Sequence, residues 1–171
     1  MNSKLVIRGR VWKFGDNVNT DVITPGKYLS LPISKIKDHI MEPLDPSFPK
    51  KVEKGDIIVA GRNFGCGSSR EQAPRALKEA GISLIIAESF ARIFFRNSIS
   101  IGLPVLQCKG ISEFCNEGDV LEVNLKTAEI KNLRSGKVLS ANPLSGQILK
   151  ILEAGGIISM LREMVREGSL D

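Results

Sequence analysis

The sequence predicts an α/β fold with a parallel-sheet core and added antiparallel strands. In the middle of the chain, short apolar runs rich in β-branched residues alternate with segments rich in helix formers, the pattern of successive strand–helix–strand crossovers. The chain has 171 residues, 42% of them hydrophobic and 25% charged, as expected for one globular domain. We therefore expect residues 1–171 to form a single domain.

The N-terminal part is predicted to be less regular. Residues 4–14 (KLVIRGRVWKF) indicate a strand or a bent strand pair, and residues 15–21 are typical of a turn. Residues 24–49 are proline-rich around a short helical candidate at residues 34–41. We interpret this stretch as a long excursion over the surface, since long loops in compact domains are usually functional or mobile.

The parallel core is predicted to follow. Strands are indicated at residues 56–60 (DIIVA), 83–87 (SLIIA) and 104–108 (PVLQC), with helices at residues 70–80 and 90–97 between them. Because a helix joins each strand to the next, these strands should lie parallel.

The last third is expected to add antiparallel structure and to end in a helix. Residues 119–124 and 129–133 predict a hairpin, and residues 136–139 a further short strand. From residue 144 the pattern is that of an amphipathic helix, interrupted at the glycine pair 155–156.

The charge and the aromatic content limit the classes of partner. The net charge is +5 and the pI about 9.2, but only 5% of the residues are aromatic, with one Trp and one Tyr. Nucleic-acid binders use aromatic stacking platforms and dense basic stripes, which this composition disfavours. A modest positive balance suits small carboxylate substrates equally well.

The three cysteines, Cys66, Cys108 and Cys115, form neither a C-x-x-C pair nor a disulfide framework. Their spacing favours a reducing, cytoplasmic setting. No apolar run approaches the ~18 to 20 residues that cross a membrane, and no secretory signal is expected.

The segment of greatest chemical interest is residues 65–74 (GCGSSREQAP), between a predicted strand and a predicted helix. The first N–H groups of a helix lack internal partners and carry the positive end of its dipole, so they stabilise anions. Gly65 and Gly67 can take positive φ and allow a ligand to approach the backbone closely.

A purely structural interpretation of this segment is equally supported by the spacing. Ser68 with Glu71, or Ser69 with Gln72, fits the capping box S-x-x-E/Q, in which the serine only starts the helix. Both interpretations stay open at this point.

Several chemistries are disfavoured by what the sequence lacks. A Ser-His-Asp hydrolase needs a histidine, and the single one, His39, lies in the irregular stretch, where a surface position is expected. The G-x-S-x-G elbow, the P-loop and the G-x-G-x-x-G fingerprint are all incomplete at residues 65–70. What remains is a pair of hydroxyls, backbone donors and Arg70, which can bind a carboxylate bidentately.

Three segments in order carry a resemblance to a known family: residues 15–29 (GDNVNTDVITPGKYL), 56–74 (DIIVAGRNFGCGSSREQAP) and 86–104 (IAESFARIFFRNSISIGLP). The chain resembles the small subunits of aconitase-type hydro-lyases, which include 3-isopropylmalate dehydratases and homoaconitases. The resemblance implies a three-layer β/β/α swivelling domain that covers the active site of a separate large subunit. It also implies that this chain binds no metal, since the [4Fe-4S] cluster would be held by the large subunit.

The resemblance also implies roles for individual residues. Ser68 matches the serine whose alkoxide removes a proton from the substrate carbon. Ser69 and Arg70 match its substrate-binding neighbours, with Arg70 on a carboxylate.

Other matching positions have a second explanation. Three residues lie in a loop that would reach the active site, although an Asx turn explains them equally well: Asn19, Thr20 and Asp21. Ser89 could cap the following helix, and solvated or paired positions are favoured for Arg92 and Arg96.

The segment after Pro25 is where this family distinguishes substrates. Homoaconitase-like members resemble YLRT there and isopropylmalate members YLVY, whereas this chain has Tyr28, Leu29, Ser30 and Leu31. A buried carboxylate without a partner costs several kcal/mol, so the missing arginine favours 2-isopropylmalate or a similarly branched malate. Homoaconitase and dimethylmalate-type activities remain alternatives, since Lys27, Lys35 or Lys37 could reach a second acid group.

Two classes of function follow. The first is the small subunit of a heteromeric hydro-lyase of leucine biosynthesis, active only with its large subunit and acting on a small hydroxy di- or tricarboxylate. The second is an anion-binding regulatory module without chemistry. Neither requires nucleic acid or a membrane, and the isolated chain is expected to be able to self-associate.

Overall fold

The computed structural model describes residues 5–168, and these form one mixed sheet flanked by helices. The strands in this part of the chain are β1 (Val6–Lys13), β2 (Ile57–Ala60), β3 (Leu84–Ala87), β4 (Val105–Gln107), β5 (Val120–Asn124), β6 (Glu129–Asn132) and β7 (Val138–Ser140). Their order across the sheet is β4-β3-β2-β1-β5-β6-β7.

The helices include four of only four residues each, α1 (Thr20–Ile23), α2 (Ile33–Ile36), α3 (Phe48–Lys51) and α6 (Ile111–Phe114). The longer ones are α4 (Gln72–Glu79), α5 (Arg92–Ser100), α7 (Gly146–Ala154) and α8 (Ile157–Arg166). Within residues 5–168, no helix has the length and apolar character needed to cross a membrane.

The predicted parallel core is confirmed. The three predicted strands β2, β3 and β4 are mutually parallel, with pairs such as Val59↔Ile86 and Ala60↔Ala87, and α4 and α5 are the crossovers after β2 and β3. Strand β1, which the sequence did not assign to this core, also pairs parallel with β2. Every residue of β2 and β3 is fully buried, as expected for parallel strands covered on both faces. Because the strands are parallel, the segments that follow them emerge at the same edge of the sheet.

Strand β1 joins the parallel and antiparallel halves. Its end, Val11–Lys13, pairs parallel with Ile57–Val59, whereas Val6–Arg10 pairs antiparallel with Val120–Asn124. Of the two predicted alternatives for residues 4–14, the single strand is confirmed, and this strand changes partners along its length. The hairpin β5–β6 and the strand β7 continue the sheet as predicted, and the C-terminal helix breaks at the two glycines, between α7 and α8.

The interpretation of residues 24–49 as a surface excursion is wrong. Four of its large side chains are at most 1% exposed and belong to the core: Ile36, Ile40, Met41 and Phe48. Phe48 packs edge-on against Trp12 and Phe14, with ring centroids 5.0 and 5.6 Å apart. The predicted helix at residues 34–41 is also shorter, because it consists of α2 and a 3-10 turn at Lys37–His39.

Candidate functional site

The site forms where the segments after β1 and β2 meet. The backbone N–H of Gly65 donates to the carbonyl of Val18 at 2.7 Å, and the N–H of Thr20 donates to the carbonyl of Cys66 at 2.8 Å. These bonds extend the parallel pairing of β1 and β2 beyond the strands and bring residues 65–70 against the start of α1.

The segment after β3 fixes the same loop from the other side. The N–H of Phe64 donates to the carbonyl of Ser89 at 3.0 Å, and the N–H of Ala91 donates to the carbonyl of Phe64 at 2.9 Å. Gly65 then turns with φ +81° directly over the ring of Phe94, which is buried in α5. The loop is therefore held by backbone contacts on both sides and by an aromatic ring beneath it.

The capping interpretation of the serines is wrong. Helix α4 begins at Gln72 with Glu71 as its N-cap, and no side chain caps it. Neither Ser68 nor Ser69 touches the first turn in the manner of a capping box, because the helix starts beyond both of them. Both side chains are exposed, and within residues 5–168 the hydroxyl of Ser69 has no hydrogen-bond partner.

Ser68 meets one other hydroxyl. Its Oγ lies 3.2 Å from Oγ1 of Thr20, which also donates to the Ser68 carbonyl at 3.1 Å. Thr20 is only 2% exposed, so its hydroxyl is held in place. A buried hydroxyl that can turn its proton toward Ser68 stabilises negative charge on that oxygen more than on the neutral alcohol.

Arg70 is held across the loop by the segment after β1. Its Nη1 donates to Oδ1 of Asp21 at 2.9 Å and to the carbonyl of Thr24 at 3.0 Å. Its Nε and Nη2 have no hydrogen-bond partner in the part of the chain that the structure describes. One edge of the guanidinium is thus fixed, and the other is available to a carboxylate.

Asp21 is held as an anion by this arrangement. The hydrogen bond from Arg70 and then the backbone N–H of Gly26, 3.1 Å from Asp21 Oδ1, lower the pKa of the carboxyl below its ordinary value. Asn19 serves the local turn instead, because its Oδ1 accepts from the N–H of Val22 at 2.9 Å and caps α1. Of the three residues 19–21, Asn19 is therefore structural, whereas Thr20 contacts Ser68 and Asp21 contacts Arg70.

The candidate specificity segment, residues 28–31, follows Thr24 and Gly26, which contact Arg70 and Asp21. It starts in a 3-10 turn, Gly26–Tyr28, and the N–H of Leu31 donates to the carbonyl of Tyr28 at 3.0 Å. Ser30 and Leu31 are exposed, whereas Leu29 is half-buried. The ring of Tyr28 faces back toward the chain and stacks on His39, so that histidine is half-buried and not a free surface residue.

The prediction that Ser89 caps a helix is wrong. Helix α5 starts at Arg92 with Ala91 as its N-cap, and the Oγ of Ser89 accepts from the N–H of Asn63 at 2.8 Å. Arg92 and Arg96 are exposed, and their side chains have no ion pair within residues 5–168, which agrees with solvated positions.

The cysteines do not fit an iron-sulfur cluster. All three are free thiols, and burial raises the pKa of Cys108 and of Cys115 to about 11. Among the described residues, no group of three or more His, Cys, Asp or Glu side chains could hold a metal ion.

Sequence reasoning missed the carbonyl of Thr24 and the N–H of Gly26, the two backbone groups that hold Arg70 and Asp21. Residue type carries no signal for a backbone group of this kind. Only their position, directly after the loop 19–21, could have suggested them.

The fold and the site define an α/β domain with an exposed serine and a half-engaged arginine at the carboxyl ends of its parallel strands. The sequence profile of the Aconitase C-terminal domain family matches residues 16–110. The chain belongs to this family.

Curated relatives match over nearly the whole chain. The isopropylmalate/citramalate isomerase small subunit of Methanocaldococcus jannaschii is 58% identical over 164 residues, covering 95% of this chain and 97% of the relative. The methanogen homoaconitase small subunit of Methanothermobacter thermautotrophicus is 51% identical, covering 95% of each. Further relatives, 48 to 51% identical, are named 3-isopropylmalate dehydratase small subunit.

The crystal structure of a 3-isopropylmalate dehydratase (LeuD) from Methanocaldococcus jannaschii is similar to this chain with a TM-score of 0.89 and 43% sequence identity. The match covers 96% of this chain and 99% of that one. The predicted fold, that of an aconitase-type small subunit, is confirmed.

Proposed function

We propose that this chain is the small subunit of a heteromeric hydro-lyase that interconverts 2-isopropylmalate and 3-isopropylmalate by dehydration and rehydration. The names of the relatives and of the similar crystal structure support this reaction. The observation that carries it is the pairing of Ser68 with a buried hydroxyl, beside an arginine of which one edge has no partner among residues 5–168. An anion-binding module without chemistry would not need the serine contact.

Ser68 is the group that removes and returns a proton at the substrate carbon. In the resting state its hydroxyl shares a hydrogen bond with Thr20. Ser68 first loses its own proton to solvent, and the single proton of the Thr20 hydroxyl then turns from the Ser68 carbonyl to the serine oxygen. This donation stabilises the alkoxide, where a lone serine would be a poor base. The positive charge of Arg70 in the same loop acts in the same direction.

Arg70 and Ser69 hold a substrate carboxylate. The bond from Arg70 Nη1 to the Thr24 carbonyl keeps the guanidinium oriented, so Nε and Nη2 can form a bidentate pair with the substrate. The free hydroxyl of Ser69 adds a donor next to it. Preorganised donors of this kind reduce the entropic cost of orienting the substrate.

The rest of the active site belongs to a large subunit. The name "small subunit" of the relatives implies such a partner. We propose that this partner holds a [4Fe-4S] cluster on its own cysteines, where it supplies a Lewis acid for the departing hydroxyl. The free thiols of this chain are consistent with a reducing compartment, and we place the enzyme in the cytoplasm.

The substrate is assigned from the segment that follows Gly26. Overall identity does not decide it, because an isomerase of isopropylmalate and citramalate and a homoaconitase subunit are both at least 51% identical to this chain. Leu29, Ser30 and Leu31 include no cation, so a distal carboxylate has no bidentate partner there. The branched apolar arm of isopropylmalate needs no charged partner, so its binding is not weakened at such a segment.

The test is reconstitution with the large subunit that partners the Methanocaldococcus jannaschii relative. The complex is assayed with 2-isopropylmalate, citramalate, dimethylmalate and homocitrate, following the ultraviolet absorbance of the unsaturated intermediate. We expect isopropylmalate to be preferred. A clear preference for the tricarboxylate would overturn the substrate assignment.

The role of Ser68 is tested in the same complex. Loss of a general base lowers turnover by about 100- to 10,000-fold, and we expect this for Ser68→Ala with complex formation unchanged. Ser34→Ala, a change of an exposed serine in α2, is the matched control and should leave turnover unaltered. Undiminished turnover in the Ser68→Ala complex would rule out the serine as the base.

A further inference from the structure

The ring of Tyr28 is packed against His39. The two ring centroids are 3.7 Å apart and the planes are inclined by only 9°, so the rings lie face to face. The ammonium of Lys27 lies 5.1 Å from the Tyr28 ring centroid. One face of Tyr28 is therefore covered by protein, and the first residue of the candidate specificity segment serves as an anchor.

His39 is itself held in place. Its Nδ1 lies 2.8 Å from Oε2 of Glu42, and the next two residues, Ile40 and Met41, are fully buried. The N–H of Met41 donates to the carbonyl of Ile23 at 3.1 Å, which ties the histidine segment to α1. The imidazole thus has little freedom to leave the stack.

The residues that precede Tyr28 are fixed by contacts with Arg70 and Asp21. Arg70 donates to the carbonyl of Thr24, and Asp21 accepts from the N–H of Gly26. Residues 24–28 consequently lie between an ionic anchor at Arg70 and an aromatic anchor at His39. The residues that follow, Leu29 to Leu31, extend from the aromatic anchor, so their position depends on the ring stack.

We propose that His39 is a positioning residue that sets substrate preference by fixing Tyr28 and, through it, Leu29 to Leu31. His39 touches neither the base nor the carboxylate-binding arginine. Removal of the imidazole loosens Leu29 to Leu31, while Ser68, Thr20 and Arg70 stay in place. This proposal rests on the proposed function and deepens it by naming what holds the specificity segment.

The geometry is tested on the full chain alone. Tyr28 and His39 are the single tyrosine and the single histidine of the sequence, so their ring protons give unambiguous NMR signals. We expect nuclear Overhauser effects between the two rings and upfield ring-current shifts that disappear in His39→Ala. Absence of these effects in the wild-type chain would overturn the proposal without reference to any activity.

The consequence for selectivity is tested in the reconstituted enzyme. A stacked aromatic pair is worth a factor of about 3 to 10, and we expect His39→Ala to lower the preference for isopropylmalate over homocitrate by that factor, through KM and with kcat retained. His39→Phe, which keeps the ring, should restore most of the preference. Asp38→Ala, a change of the exposed neighbour, is the control and should have no effect.

The outcomes separate the two proposals. If His39→Ala leaves the preference unchanged, or lowers kcat for both substrates alike, His39 does not position this segment. Should His39→Ala fail to fold, the His39→Phe and Glu42→Ala variants carry the test, because only the second weakens the support of the ring. If the wild-type complex acts on none of the acids, the proposed function fails and the positioning role falls with it, even where the Overhauser effects are present.

Discussion

Replacing Gly65 with alanine should destabilise the protein, because the added methyl group has no room. Gly65 has φ +81°, a conformation that side chains of L-residues rarely adopt. A Cβ built there would lie 2.1 Å from Cγ and 2.4 Å from Cβ of Phe94. Both distances are far below van der Waals contact, so either the loop or helix α5 has to move.

The magnitude follows from two additive costs. The left-handed conformation costs an alanine about 1 to 2 kcal/mol. Overpacking a core costs about 1 to 3 kcal/mol more, and Phe94 cannot swing away because it is 3% exposed and packed against Phe64 and Phe90. We expect Gly65→Ala to reduce the free energy of unfolding by about 2 to 5 kcal/mol.

Gly110 provides a matched control for the steric part. It has φ +90°, and a Cβ built there would have no atom of the described residues within 4 Å. Gly110→Ala therefore incurs only the conformational cost of about 1 to 2 kcal/mol. The free energies of both variants are measured by guanidinium unfolding, followed through the fluorescence of Trp12, which is the single tryptophan and is buried.

Equal destabilisation of the two variants would refute this reasoning, because the contact with Phe94 would then contribute nothing. The same substitution also tests the site. A loop displaced by the methyl group moves Ser68 away from Thr20, and a misplacement of about 1 Å costs on the order of 100-fold in turnover. Gly110→Ala should retain full activity in the reconstituted complex.

Two further predictions concern titratable groups. In a carbon-13 titration, the pKa of Asp21 should lie below the ordinary carboxyl value and should rise in Arg70→Gln. Because the folded-state pKa is lowered, the contact contributes its full stability above the ordinary pKa. This stability is lost as the pH falls through the folded-state pKa. An unchanged Asp21 pKa in Arg70→Gln would contradict the assignment. Thiol alkylation of the native chain at pH 8, read by mass spectrometry, should modify Cys66 and spare Cys108 and Cys115, whose pKa of about 11 keeps them as neutral, buried thiols. Equal labelling of all three would show that the core opens readily.

The strands and crossovers could be predicted because their signals are local. A buried parallel strand is a short continuous apolar run, and β2 and β3 carry that signal within a few residues. The break of the C-terminal helix at Gly155 and Gly156 is local in the same sense, since both glycines take positive φ.

The errors arose where distant contacts outweighed local patterns. The capping boxes at Ser68 and Ser69 are plausible over four residues, but Arg70 is drawn toward Asp21 and Thr24, which precede it by 49 and 46 residues. The proline-rich stretch suggested a surface loop, yet Phe48 is buried against Trp12 and Phe14, which lie far before it in the sequence.

The sequence by itself determined the α/β class, the succession of strand–helix–strand crossovers and the loop that holds Ser68 and Arg70. These depend on residue types and on periods of a few residues. The tertiary structure alone decided which groups meet: Ser68 with Thr20, 48 residues apart, Arg70 with Asp21, and Tyr28 with His39. The physical reason is the parallel pairing of β1 with β2 and the buried apolar residues of the intervening stretch, which fold distant segments onto one edge of the sheet.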